Sequence, residues 1–307
     1  MRDSGCIILK ALRNSPILRI CTAVAALALT TGCNKLGLDS GGTTSPSPVP
    51  TPGSTIFYTA VGASDANGVG SSAECLPLTP CPNGMGYVPV TVRALTAKGF
   101  TVNNLNLGIP TTVIGSDFAQ LGARHGRTIV GNMIDNEMPF VQSNATVLTI
   151  FAGVNEINTI TSALGAGEGA SDPNAFIDAQ VKAFAADYTT LVAGIRARAG
   201  LPRFVILNVP NVAGLPFAAG ASLAQRQAAQ RAAVGMTKGV NALASSSVTI
   251  VDLMCDGRSY FAFHYASDGL HPNDAGYAFI AAEVVKAITT STYPAPQNSC
   301  SGMTIVP

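Results

Sequence analysis

The chain has 307 residues, enough for one large domain or two small ones, and 47% of them are hydrophobic, ample for a core. Charged residues make up 11% and the formal net charge is +1; the basic excess lies before residue 55, in Arg2, Lys10, Arg13, Arg19 and Lys35. A near-neutral body with no basic run argues against nucleic acid as a partner.

The chain opens with a targeting pattern. Lys10, Arg13 and Arg19 precede an apolar run over residues 20–30, too short for the ~20 residues a membrane span needs. Thr30-Thr31-Gly32-Cys33 then resembles a bacterial lipoprotein lipobox, although Leu29 stands one place earlier than the usual leucine. The resemblance implies a signal over residues 1–33, a lipid on Cys33 and an exported, membrane-anchored protein. An ordinary secretory signal cut near the same place is the alternative. Residues 34–54, rich in Ser, Thr, Pro and Gly, read as a flexible tether. Residues 55–307 form the folded domain. Of seven cysteines, Cys6 and Cys21 leave with the signal and Cys33 takes the lipid. Cys75, Cys81, Cys255 and Cys300 remain, an even number in an oxidising compartment. Cys75–Cys81 is the local pairing, which leaves Cys255–Cys300 to pin the C-terminal tail. None of these spacings suits zinc.

The folded body begins with a buried strand over residues 56–61, uncharged and rich in β-branched, aromatic and small residues. Gly62 permits a sharp turn, which sets Ser64 just past the strand's C-terminal end. An irregular insertion, 70–86, holds Cys75 and Cys81. A helix pattern follows over 87–98, stopped by Gly99, and a strand over 101–107. Short helical pieces are expected around 118–122 and 129–138. Residues 146–151 read as a buried strand ending at Ala152-Gly153-Val154-Asn155-Glu156. A long helix over 174–199 has Asp172 as N-cap, Pro173 at its first position and Gly200 as its stop. A strand over 204–207, a helix over 222–244, a strand over 248–251 and a helix over 273–288 complete the series. Apolar strands separated by helices indicate a parallel sheet covered on both faces.

Only three histidines exist, His125, His264 and His271, and a general base near neutral pH is most easily a histidine. His271 stands three residues after Asp268 in Asp268-Gly269-Leu270-His271-Pro272, close enough for the carboxylate to fix the imidazole's tautomer. The competing reading is that Asp268 and Asn273 only cap the last helix. A serine on a tight strand-to-helix turn is how several hydrolases expose a nucleophile, and Ser64 sits on one. The four other cysteines aside, His125 and His264 read as surface or loop residues, and Phe261, Phe263 and Tyr265 as packing residues or walls of an acyl pocket.

Taken together, three ordered blocks resemble the GDSL, or SGNH, esterase/lipase family: residues 58–70 around Ser64, Gly153-Val154-Asn155-Glu156, and Asp268-Gly269-Leu270-His271-Pro272. The resemblance covers residues 55–290. It implies a three-layer α/β/α sandwich on a central parallel five-stranded sheet of flavodoxin-like type. It implies Ser64 as nucleophile, His271 as base and acid, and Asp268 as its orienter. The oxyanion would be held by the Ser64 backbone N–H, the Asn155 amide and a backbone N–H at Thr111, with Gly108 as the alternative. Three positions depart from the family pattern. Ala63 replaces an aspartate that braces the loop, Glu156 replaces an aspartate after the oxyanion asparagine, and Thr111 stands where the family has glycine. The expected function is ester hydrolysis through an acyl-enzyme, with no metal or cofactor, on a small-molecule, lipid or glycan ester. The rival is a non-catalytic glycan- or lipid-binding lipoprotein that keeps the fold.

Overall fold

The computed structural model describes residues 48–307; the signal, Cys33 and most of the tether lie outside them. Five strands form one sheet: β1 (Thr55–Gly62), β2 (Thr101–Asn106), β3 (Val147–Phe151), β4 (Arg203–Leu207) and β5 (Val248–Val251). All neighbours pair in parallel, in the order β2-β1-β3-β4-β5. This is the flavodoxin-like order, in which the strand sequence reverses direction between β1 and β3. Ligands bind at the carboxyl ends of the strands flanking such a reversal, and Ser64 and Asn155 follow the two strands concerned.

The order explains the layers. The chain steps one way from β1 to β2 and the other way from β2 through β5, so right-handed crossovers put helices on both faces. Eight helices serve this frame: α1 (Ser64–Asn67), α2 (Tyr87–Ala97), α3 (Ser116–Arg124), α4 (Met133–Asn136), α5 (Val154–Gly165), α6 (Pro173–Ala199), α7 (Leu223–Asn241) and α8 (Asp274–Thr289). Helices α2 and α8 pack together on one face, and α3 and α5–α7 pack on the other. Strands β3 and β4 are buried at every position, while β2 is the partly exposed edge. The edge carries Asn103 and Asn104, polar residues that blunt it against further pairing.

Local signals set most boundaries. Asp172 caps α6 by accepting the Ala175 N–H at 2.9 Å, Pro173 opens it, and Gly200, with φ of 71°, ends it. Ser222 and Gln225 form a capping box at the start of α7. Two elements differ from the sequence expectation. Helix α5 was not expected after Asn155, because Val154, Ile157, Thr159, Ile160 and Thr161 are β-branched and favour strand. Burial of Ile157, Ile160 and Ala163 overrides that preference. The helix expected over 129–138 shrinks to α4 and a separate short turn, Met138–Phe140, because Pro139 cannot continue an α-helix.

Two disulfides are present. Cys75–Cys81 closes the insertion after α1, and Cys255–Cys300 ties the tail to the loop after β5. The tail is also docked by side chains: Asn211 Nδ2 donates to the Gly302 carbonyl at 2.9 Å, and Met303 and Val306 are buried. Bridging residues 45 apart removes more unfolded-chain entropy than bridging residues six apart. Replacing Cys255 and Cys300 together by serine should therefore lower the unfolding free energy in urea by about 2–4 kcal/mol. The same exchange at Cys75 and Cys81 should cost less, and equal losses would contradict this account.

Candidate active site

Ser64 begins α1 directly after β1, so its side chain stands at the sheet's carboxyl edge. Gly62 is needed for a reason other than the expected turn. It is the last residue of β1, and a Cβ there would lie 2.9 Å from the Phe151 carbonyl oxygen of the neighbouring strand. Its N–H donates to Glu137 Oε2 at 2.9 Å. The loop after Ser64 turns back at Gly70, whose φ is +90°; a Cβ there would sit 2.8 Å from the His271 Cβ. Only glycine allows the two segments so close.

His271 and Asp268 occupy the loop before α8. His271 Nε2 is 3.0 Å from Ser64 Oγ, and His271 Nδ1 is 2.6 Å from Asp268 Oδ2. Asp268 Oδ1 also accepts the N–H groups of Leu270 and His271, at 2.9 and 3.0 Å. Burial pushes the Asp268 carboxyl up, but these three donors outweigh it and hold it below the ordinary range. An ionised carboxylate can only accept, so Nδ1 carries the proton and Nε2 is free to accept the Ser64 hydroxyl proton. Asp268 does not cap α8. Asn273 does that, with Oδ1 accepting the N–H groups of Ala275 and Gly276.

The opposite wall comes from the loops after β2 and β3. Asn155 lines the cavity, and its Nδ2 donates to the Thr112 carbonyl at 2.8 Å. Thr111 lines the same cavity with φ of 62°, the left-handed region that favours glycine. Gly108 is a poorer donor: its N–H is taken by Asn106 Oδ1 at 3.1 Å, and it does not line the cavity. The cavity, of about 270 Å³, is bounded by Ser64, Thr111, Asn155 and His271 together with Val69, Met133, Phe151 and Leu270.

A second, smaller apolar cavity lies behind His271 and is lined by Tyr265, Leu253, Phe279 and Ile280. Phe261 and Phe263 line neither; they are exposed and stack on one another at 5.3 Å. His125 pairs with Glu168 at 2.7 Å, and His264 Nδ1 lies 2.9 Å from the Arg258 carbonyl oxygen. Among the described residues no group of His, Cys, Asp and Glu could hold a metal ion.

With Ala63 unable to brace the Ser64 turn, other polar side chains hold it and the neighbouring loops. Asn67 Nδ2 donates to the Gly108 carbonyl at 2.8 Å and to the Ala63 carbonyl at 3.2 Å. Asn106 Nδ2 donates to the Ala66 carbonyl at 2.7 Å. Glu137, fully buried, holds Gly62 from below. Glu156 Oε1 accepts the Ile114 N–H at 2.5 Å, which ties the Thr111 loop to α5. Burial drives the Glu137 carboxyl well above the ordinary carboxylate range and raises that of Glu156 from 4.5 to about 7. No spacing rule flags Asn106 or Glu137, because each acts on a segment distant in sequence.

The geometry has a counterpart in a family model. The model of the GDSL-like lipase/acylhydrolase family matches residues 60–279. The chain belongs to this family. It is accordingly a hydrolase of ester bonds, and its substrates are small-molecule esters in the broad sense. Solved structures of similar fold include a lipase from a goat rumen metagenome, 19% identical, covering 76% of this chain and 97% of that one, with a TM-score of 0.53. An extracellular lipase from Streptomyces rimosus is 17% identical, covering 77% and 100%, with a TM-score of 0.52. Phospholipase A1 from Streptomyces albidoflavus is 16% identical, covering 73% and 94%, with a TM-score of 0.50. These likenesses support the three-layer SGNH-hydrolase fold. Among curated proteins none matches in sequence.

The raised Glu156 carboxyl gives this GDSL-like hydrolase a testable pH response. The fold favours the protonated acid, so the contribution of Glu156 is complete below about pH 4.5 and is lost as pH rises through about 7. Glu156→Gln keeps an oxygen for Ile114 and removes the charge. Relative to wild type, the variant should gain up to about 3 kcal/mol of unfolding free energy between pH 4.5 and 8. Urea unfolding at the two pH values measures it, and a pH-independent difference between the proteins would contradict the assignment.

Proposed function

We propose that the enzyme is a serine esterase that works through an acyl-enzyme on Ser64. The observation that carries the reading is the continuous chain of hydrogen bonds from Ser64 Oγ to His271 Nε2 and from His271 Nδ1 to Asp268, at 3.0 and 2.6 Å. As Ser64 Oγ forms its bond to the ester carbonyl carbon, its proton passes to Nε2, and the carbonyl π electrons move onto oxygen. Asp268 stays ionised and stabilises the imidazolium. Collapse of the intermediate expels the alcohol oxygen, which takes the proton from Nε2. Water then repeats the sequence on the acyl-enzyme, with His271 again as base.

The negative oxygen of the intermediate would be held by the backbone N–H groups of Ser64 and Thr111 and the free N–H of Asn155. Such donors act most strongly where water is excluded and their direction is already set. The bond from Asn155 to the Thr112 carbonyl, which restrains the amide, supports its place among them. The left-handed backbone of Thr111, at the cavity wall, supports its inclusion. Neither step calls for a metal or a cofactor. The substrate is an acyl ester of a small molecule, lipid or glycan.

In the same reading, residues 1–33 direct export, Cys33 carries a lipid, residues 34–54 tether the domain, and residues 55–307 hydrolyse esters on the outer side of a bacterial membrane. The two disulfides and the extracellular lipase of like fold support export. Among the described residues no helix is long and apolar enough to cross a membrane.

Hydrolysis of short p-nitrophenyl esters tests the chemistry. Ser64→Ala should abolish turnover. Asn155→Ala should lower kcat by about 10²–10³ with a smaller effect on KM, since the lost bond is made to the transition state. Full activity in Ser64→Ala would remove the nucleophile assignment, and an Asn155→Ala effect confined to KM would remove that of the oxyanion donor.

A further inference from the structure

Besides Asp65 and Glu156, two acids that burial drives toward their neutral forms, the cavity over Ser64 holds one cationic side chain that acyl transfer does not require. Arg127 lines it beside Asn155, Asn158 and Glu156. The residue is half-buried, and its Nε is shut off from solvent with no hydrogen-bond partner. Its backbone is anchored, with the N–H donating to the Gly122 carbonyl at 3.0 Å. Its side chain forms no ion pair among the described residues, whereas Arg231 pairs with Asp178, and Arg258 with Asp256 and Glu283. The acid whose charge bears on Arg127 is Glu156, and that carboxyl is engaged by the Ile114 N–H and driven by burial toward its neutral form. A guanidinium drawn out of water without a counter-charge is costly. An anion in the cavity would relieve that cost.

We infer that Arg127 binds an anionic group, a carboxylate or a phosphate, on the ester while Ser64 attacks the ester carbonyl. The favoured substrates are therefore esters that carry a negative charge. The inference rests on the serine-esterase reading above. The planar fork of a guanidinium offers paired N–H donors that match two oxygens of either group. The cavity gives direction to this recognition. Arg127 and Ser64 lie on the walls of one cavity of about 270 Å³, so the charge and the scissile bond belong to the same small part of the substrate.

Two matched pairs of esters test the inference on the full chain. The first is p-nitrophenyl hydrogen glutarate against its neutral methyl ester, which places a carboxylate on the acyl side. The second is 1-butyrylglycerol 3-phosphate against 1-butyrylglycerol, which places a phosphate on the alcohol side. The readout is the ratio of kcat/KM for the charged ester to that for its neutral partner, a quantity that cancels losses from misfolding. In at least one pair Arg127→Gln should lower this ratio by about tenfold to a hundredfold. Arg127→Lys should fall between wild type and Gln. A ratio in Arg127→Gln equal to that of wild type in both pairs would overturn the inference and leave the esterase reading intact. Absence of turnover of all four esters by the wild type would instead remove the esterase reading, and this inference with it.

Discussion

The site depends on one contact, the 3.0 Å approach of His271 Nε2 to Ser64 Oγ across a sequence separation of 207 residues. Strand pairing alone does not deliver it, because β1 and β5 are separated by β3 and β4 in the sheet. Short bonds between the two segments do. Tyr277 Oη donates to the Val69 carbonyl at 2.7 Å, and Asp274 accepts from Ser72 through both the N–H and the hydroxyl, at 2.7 and 2.6 Å. Gly70 gives way to the His271 side chain. The start of α8 is thereby docked onto the loop that leaves the nucleophile. Helix α8 packs on the same face of the sheet as α2, and that packing carries the His271 loop back toward β1.

Polar groups in the interior provide the stiffness that the Ala63 position does not. Asn67 and Asn106 lace the nucleophile turn to the loop after β2, and Glu137 and Glu156 hold Gly62 and Ile114 by their N–H groups. The two buried acids are costly as anions, and burial keeps them toward the neutral form. A neutral carboxyl still accepts a backbone N–H through one oxygen. The loops around Ser64 are thus fixed without two further full negative charges in the interior.

Much of this was legible in the sequence. Four of the five strands, all but β2 with its Asn103 and Asn104, are short, largely apolar runs bounded by turn residues, so a parallel sheet could be inferred from their alternation with helices. Ser64, Asn155, Asp268 and His271 were legible as candidates, because each stands at the end of a strand or helix in a motif of fixed spacing. Helix α5 was not, since its β-branched residues speak for strand until Ile157 and Ile160 find the core. Glu137, Asn67 and Arg127 were not, for a different reason. Their meaning lies in what they face across space: an N–H of a strand, a carbonyl on another loop, or the cavity over Ser64. Thr111 and Gly108 were alternatives in sequence, and what distinguishes them, a left-handed backbone at Thr111 and an N–H engaged by Asn106 at Gly108, is conformational and has no sequence signal.

The meeting of the two distant segments is tested most directly by covalent labelling with a fluorophosphonate, followed by mass mapping of the adduct. A serine reacts with this reagent only when a neighbouring base takes its proton. The account predicts a single adduct on Ser64 in the wild type and loss of that adduct in His271→Ala, although Ser64 itself is unchanged. An unlabelled wild type, or labelling of Ser64 undiminished in His271→Ala, would contradict it.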